Sequence, residues 1–325
     1  MSRPFVAMKG LANPHLQTIL PTLLYKNRRP KFVHERFELE DGDFIDLAWH
    51  QLPAIDRRPI IVIFHGLAGS VRSPYAYSMM KALDAKGFNS VVMHFRGCFD
   101  ESNRLARAYH SGDTGDAKAF LDHLRKRYPD LALGAIGYSL GGNMLIKLQG
   151  ELKEASPLFA AAAVSAPIRL EETADFINRG ASRLYQKLLV DDLKRSLLQK
   201  FERHDYARII GLKREDVGKI RSIWEYDERF TAPIHGFESA KAYYERASGY
   251  DYLFAISRAT LIIHALDDPF MPPSVLPKKA LLPPKVSMEV SPQGGHVGFI
   301  GGRLFRPEFW LEERIPDFMH ENLGL

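Results

Sequence analysis

Ser139 stands in the run Gly137-Tyr138-Ser139-Leu140-Gly141-Gly142, with apolar Leu133–Ile136 directly before it and Gly142-Asn143-Met144-Leu145 after it. A short strand, a G-x-S-x-G turn and a helix in that order lift a serine hydroxyl onto a sharp bend, where it can act as a nucleophile. The flanking glycines have a physical reason. The serine backbone is strained there, and a Cβ two residues before or after it would strike the neighbouring strand or helix. The bend also aims the amides of the new helix at a carbonyl under attack.

A serine hydroxyl needs a base, and the base needs an acid that fixes its tautomer. After the strand-like run Thr260–His264 comes Ala265-Leu266-Asp267-Asp268-Pro269, and after Val286–Val290 comes Gly294-Gly295-His296-Val297-Gly298-Phe299. Serine, carboxylate and histidine therefore follow one another in the chain order this strand–turn–helix motif uses. His296 is the candidate base. Asp267 and Asp268 compete for the acid role, and the position just before proline favours Asp268. Two backbone amides should form an oxyanion hole: that of Leu140, and that of Leu67 in His65-Gly66-Leu67-Ala68-Gly69-Ser70. Such donors are worth ~3 kcal/mol each in barrier height.

This constellation points to acyl transfer through a covalent acyl-enzyme. His15, His94, His110 and His235 show no H-E-x-x-H or similar spacing, so no metal is expected. Gly134-Ala135-Ile136-Gly137 is not a G-x-G-x-x-G, and no phosphate-binding G-x-x-x-x-G-K-[ST] occurs, so no cofactor is expected either.

The elements that must position these residues read as an alternation. Strand-like runs fall at Phe32–Leu39, Phe44–Trp49, Ile60–Phe64, Ser90–Phe95, Leu133–Gly137, Ala160–Ser165, Thr260–His264 and Val286–Val290. The later ones are continuous Val/Ile/Ala/Leu runs, as strands buried on both faces of a parallel sheet require. Helical patterns lie at Tyr75–Ala85, Asp116–Lys126, Gly142–Leu152, Glu238–Arg246 and Trp310–Glu321. The class is α/β, a mostly parallel eight-stranded sheet flanked by helices, its first two strands a hairpin turning at Asp41-Gly42. From about Arg169 to His235 no strand appears. Leu184, Leu188, Leu189, Leu193, Leu197, Leu198 and Phe201 recur there at helical steps, as an apolar stripe. The expected division is a core of 1–168 and 236–325 with an inserted helical cap at 169–235.

The 325 residues are 46% hydrophobic and 26% charged, ordinary for a soluble globular protein. The formal charge of +5 is concentrated. Arg179 to Arg221 carries twelve Lys/Arg against six Asp/Glu, an excess of six. No nucleic-acid module accompanies it, which excludes that class and leaves a solvated cap face or peripheral contact with a membrane. One cysteine, Cys98, no secretory leader and no bilayer-length apolar run lead to the expectation of a cytoplasmic protein. The oligomeric state is not legible.

Words elsewhere in the chain resemble one family. They are Asn13–Thr18, Asp41–Phe44, His65–Ser70, Ser73-Pro74-Tyr75, His94–Cys98, Tyr109–Gly112, Gly137–Asn143, His264–Met271 and Gly294–Gly301. Together they resemble the YheT-type α/β-hydrolases, bacterial carboxylesterases with eukaryotic relatives that act on acylglycerols, phospholipids and medium-chain fatty acyl ethyl esters. The resemblance runs from about Asn13 to Trp310 and implies Ser139 as nucleophile, Asp268 as acid and His296 as base. Phe99-Asp100 departs from the smaller, glycine-containing pattern. The expected function is hydrolysis of short- to medium-chain acyl esters of small molecules. The same triad would also serve an acyltransferase with an alcohol or glycerol acceptor, or a lipase or phospholipase. A non-catalytic binding protein on the fold is the rival from another class.

Overall fold

The computed structural model describes residues 3–25, 30–53, 57–303 and 306–324. Eight strands, β1 (Val33–Glu38), β2 (Phe44–Trp49), β3 (Ile60–Phe64), β4 (Asn89–Met93), β5 (Leu133–Tyr138), β6 (Leu158–Val164), β7 (Ala259–Ala265) and β8 (Val286–Ser291), form one sheet. Their order is β1-β2-β4-β3-β5-β6-β7-β8. β1 pairs antiparallel with β2, and β2 antiparallel with β4; every other pairing is parallel. The central strands β3, β4 and β5 are buried along their whole length, because helices cover both faces.

On one face, α3 (Gly115–Arg127) and α4 (Leu140–Leu152) pack Phe120, Leu124, Met144 and Leu148 against Val62, Val91 and Leu133. On the other, α2 (Pro74–Ala85) and the C-terminal helix pack Met79, Met80, Leu83 and Ile315 against Ile61, Ile63 and Val92. Each side chain of that size contributes roughly 1.5–3 kcal/mol when taken from water. This two-sided core makes the carboxyl ends of the strands a rigid rim.

Between β6 and β7 the chain is helical: α5 (Leu170–Ile177), α6 (Arg183–Lys200), short α7 (Tyr206–Ile210), α8 (Arg214–Val217), α9 (Ile223–Tyr226) and α10 (Ala232–Ile234), then α11 (Ala240–Ala247). A π-helical stretch, Asp227–Thr231, joins α9 to α10. These helices have a small core of their own in Val190, Leu197, Tyr206, Val217, Ile220 and Phe230. The expected stripe needs correction. Leu197 is buried and Leu193 half-buried, but Leu184 and Leu188 are 69% and 65% exposed. The stripe wraps too far around α6 for one buried face to cover it.

Two elements escape the sequence reading. α1 (Pro14–Tyr25) places Leu16, Ile19 and Leu23 outward, so its apolar residues do not mark a core-facing stripe. A second, two-stranded sheet, β9 (Ile300–Arg303) with β10 (Arg306–Phe309), precedes α12 (Leu311–Asn322). Among the described residues no helix is long and apolar enough to cross a membrane.

Candidate active site

β5 ends in Tyr138, and the Ser139 amide still donates to Val164 O at 2.9 Å, as if the strand continued. The chain then turns at once into α4, with Ser139 at φ +50° and ψ −119°. That conformation costs on the order of 1–3 kcal/mol and persists because the surroundings enforce it. A Cβ at Gly137 would lie 2.4 Å from Gly141 O, and one at Gly141 2.5 Å from His65 O. Helix, strand β5 and the end of β3 thus meet where no side chain fits. α4 begins at Leu140, ahead of the sequence-derived start at Gly142, because Gly141 and Gly142 serve close packing within the helix rather than a turn before it.

The loop after β7 carries Asp267 and Asp268, and the loop after β8 carries His296. His296 Nδ1 donates to Asp268 Oδ2 at 2.8 Å, and the Ser139 hydroxyl lies 3.0 Å from His296 Nε2. Asp268 is 3% exposed and His296 6%. The carboxylate keeps the proton on Nδ1 and leaves the Nε2 lone pair facing the hydroxyl. Asp268 Oδ1 accepts from Phe270 N at 2.8 Å, which fixes the carboxylate plane. Asp267 turns the other way, accepting from Gly295 N at 2.9 Å, and burial raises its pKa.

Residues without chemistry hold the histidine loop. His296 N donates to Thr18 Oγ1 at 2.9 Å, and Val297 N to Ser165 Oγ at 3.2 Å. Gln17, fully buried on α1, donates to the carbonyls of Leu11 and Ile300 and accepts from Ile300 N at 2.7 Å. The Phe270 ring lies flat on the imidazole, 4.0 Å between centroids and 4° between planes. Positive φ at Ala68, Ser139, Ser165 and Val297 gathers backbone strain into this one region.

The loop after β3 is clamped by two phenols. Gly66 N donates to Tyr75 Oη at 2.8 Å and Ala68 N to Tyr109 Oη at 2.9 Å. Leu67 lies between them, and its amide donates to no acceptor among the described residues. Leu140, first residue of α4, has no intrahelical acceptor for its own amide. His65, whose pKa burial lowers to about 4, donates from Nδ1 to Gly66 O and accepts from Phe95 N, so it supports the loop as a neutral ring.

Ser139, His296, Leu67 and Leu140 border a cavity of about 700 Å³ that extends beneath α6 to Leu193, Leu197, Tyr226 and Phe230. Its far wall is polar. Lys200, with its pKa lowered to about 8 by burial, donates to Asn103 Oδ1 and Leu105 O; Asp227, raised to about 6 by burial, accepts from Tyr244. Cys98 also lines this wall, and burial pushes its thiol up to about 12, which favours the protonated form. A second cavity of about 300 Å³ meets the first at Leu67, Ala68, Tyr75, Phe270 and Val297.

His110, Asp113 and His235, which the sequence reading did not group, bring ligand-type atoms within 4.8 Å of one another. Asp113 is engaged by Arg107 at 2.6 Å, and burial lowers both histidines to about 3. Tyr75, Tyr109, Thr18, Ser165 and Phe270 were likewise missed as supports. The short words that contain several of them stand far from Ser139 in the chain, and spacing alone assigns them no task.

With this geometry in view, likeness to known proteins is informative. Residues 59–302 match the family model for the alpha/beta hydrolase fold. The chain is 45% identical over 321 residues to YheT of Escherichia coli (strain K12), itself only provisionally named an esterase, covering 98% of this chain and 93% of that one. It is 29% identical to Phospholipase ABHD3 of Mus musculus over 93% of this chain and 75% of that protein. It also resembles the Pyrococcus furiosus esterase Pf2001 in fold, with a TM-score of 0.58 at 17% identity, covering 99% of this chain and all of that one.

Proposed function

The chain belongs to the alpha/beta hydrolase fold family, within it to the YheT group, and on that premise we propose that it is a serine ester hydrolase for short- to medium-chain acyl esters. The observation that carries this reading is the unbroken line Ser139 Oγ–His296 Nε2, His296 Nδ1–Asp268 at 3.0 and 2.8 Å, opening into the larger cavity.

In the first step Ser139 Oγ attacks the ester carbonyl carbon and passes its proton to His296 Nε2. The carbonyl oxygen takes up the negative charge between the amides of Leu67 and Leu140, helped by the positive end of α4. Asp268 stabilises the imidazolium. Collapse breaks the ester C–O bond, and His296 returns its proton to the departing alkoxide. Water then attacks the acyl-enzyme, again giving its proton to His296, and Ser139 leaves with that proton as the acid is released.

Residues 169–235 act as the cap. Leu189, Leu193 and Leu197 on α6 and Phe230 beyond it give the acyl chain an apolar wall, and the cavity's volume suits a short to medium chain. Replacing Ser139 by Ala should abolish turnover of p-nitrophenyl butyrate and labelling by a fluorophosphonate. Activity or labelling retained in that variant overturns the assignment.

A further inference from the structure

α1 and α6 each leave a row of apolar side chains in the open. On α1, Leu16, Ile19 and Leu23 are 47%, 44% and 59% exposed, on the side away from buried Gln17. Their i, i+3, i+7 spacing lines them up, as does the i, i+4 spacing of exposed Leu184 and Leu188 on α6. The two rows adjoin. His15 Nδ1 lies 3.0 Å from Tyr185 Oη with the rings stacked at 18°; His15 precedes Leu16, and Tyr185 follows Leu184. Scattered exposed apolar residues are ordinary on a protein surface, whereas five on two helices joined by the His15–Tyr185 contact form a patch.

Along the two helices themselves the charge beside the leucines has one sign, although Glu312 lines the cavity beneath. Arg183 and Lys187, both exposed, alternate with the α6 leucines. Residues 14–31 contain Lys26, Arg28, Arg29 and Lys31 and no Asp or Glu. Lys31 is exposed, and the placement of 26–29 lies outside the described residues. The first α6 acid, Asp191, comes only after Leu188. Beneath the patch, Thr18, Pro21 and Thr22 of α1 and Leu189 of α6 line the smaller cavity, which reaches Leu67, Phe270 and Val297 beside Ser139.

We propose that the α1–α6 face docks on an anionic lipid bilayer. Leu16, Ile19, Leu23, Leu184 and Leu188 enter the acyl boundary while Arg183 and Lys187 meet lipid phosphates. The contact therefore lies on the apolar seam between the first helix and the start of α6, away from most of the basic residues of 169–235. The smaller cavity gives an acyl ester a path from the bilayer to Ser139; this last step rests on the ester-hydrolase reading, and the docking itself does not.

Co-sedimentation of the full chain with phosphatidylglycerol/phosphatidylethanolamine vesicles, against phosphatidylcholine vesicles, tests it. Wild type and Ser139→Ala should bind the anionic vesicles equally, and high salt should weaken binding. Equal binding separates docking from catalysis. Leu16→Ser/Ile19→Ser/Leu184→Ser/Leu188→Ser should lower partitioning at least ~100-fold, and Arg183→Glu/Lys187→Glu about tenfold or more. Both variants should hydrolyse dissolved p-nitrophenyl butyrate as wild type does, the charge reversal serving if the serine variant misfolds. Absence of wild-type binding at low salt overturns the proposal, as does binding indifferent to both variants. A wild-type dimer in light scattering that the patch variants make monomeric also overturns it, since a second copy would then cover the face.

Discussion

Removing one hydroxyl tests how the oxyanion loop is held. Tyr75 Oη accepts from the buried Gly66 amide at 2.8 Å, one residue before Leu67. A Cβ at Gly66 would sit 3.3 Å from that oxygen and 3.3 Å from Ser139 Cβ, so the phenol and the Ser139 side chain share one packed spot. Tyr75→Phe leaves the Gly66 N–H buried without a partner, a penalty of ~1–3 kcal/mol. The loop can relieve it by turning that amide toward water, which swings the Leu67 amide away from the developing oxyanion. Loss of one oxyanion donor costs about 10²–10³ in kcat, so partial misplacement should cost about 10–100-fold. The ring remains packed at a tilt against Tyr138, 4.4 Å between centroids, so the fold should survive with a melting temperature a few degrees lower. Steady-state kinetics with p-nitrophenyl butyrate alongside a thermal melt gives the answer. The loss should fall on kcat with KM little changed. A variant that melts lower yet keeps kcat within twofold of wild type refutes the reasoning, for the phenol would then be structural alone.

The paired carboxylates separate by a conservative exchange. Asp268→Asn should lower kcat by about 10³–10⁴, because the amide no longer holds the proton on His296 Nδ1. Asp267→Asn keeps an acceptor for Gly295 N and should stay within a few-fold of wild type, read from the same assay. His94 supplies a pH signature of stability. It is fully buried, accepts from Val71 N on Nε2, donates from Nδ1 to Asp46 O, and burial lowers its pKa from 6.5 to about 3. The unfolded chain therefore takes up a proton first as pH falls. The histidine's stabilisation is complete above about pH 6.5 and drains away towards pH 3, at ~1.4 kcal/mol per pH unit. His94→Gln, which keeps a donor and an acceptor without titrating, should flatten the slope of urea-unfolding free energy between pH 6 and 4.5 by about that amount.

The sheet was legible because its strands are apolar throughout and alternate with amphipathic helices, and Ser139, Asp268 and His296 each follow a recognisable strand. The hidden parts obey weaker signals. α1 turns its leucines outward, so periodicity gave no core face to read. Leu184 and Leu188 looked like core because a stripe on a sequence has no near or far side. The groups that tune the site, Tyr75, Tyr109, Thr18 and Ser165, act through single hydrogen bonds to backbone amides, and a contact across 41 or 278 residues leaves no spacing rule behind.

The bond from His296 N to Thr18 and the Gln17 bridge to Ile300 join residues 278 and 283 positions apart. The loop that carries His296 therefore takes its position from a helix distant in sequence, not from the strand it follows. On the proposed reading, Ser139 has a proton acceptor only once the loop carrying His296 has closed against α1. Hydrolysis, on that reading, reports that α1 and the loop after β8 have met.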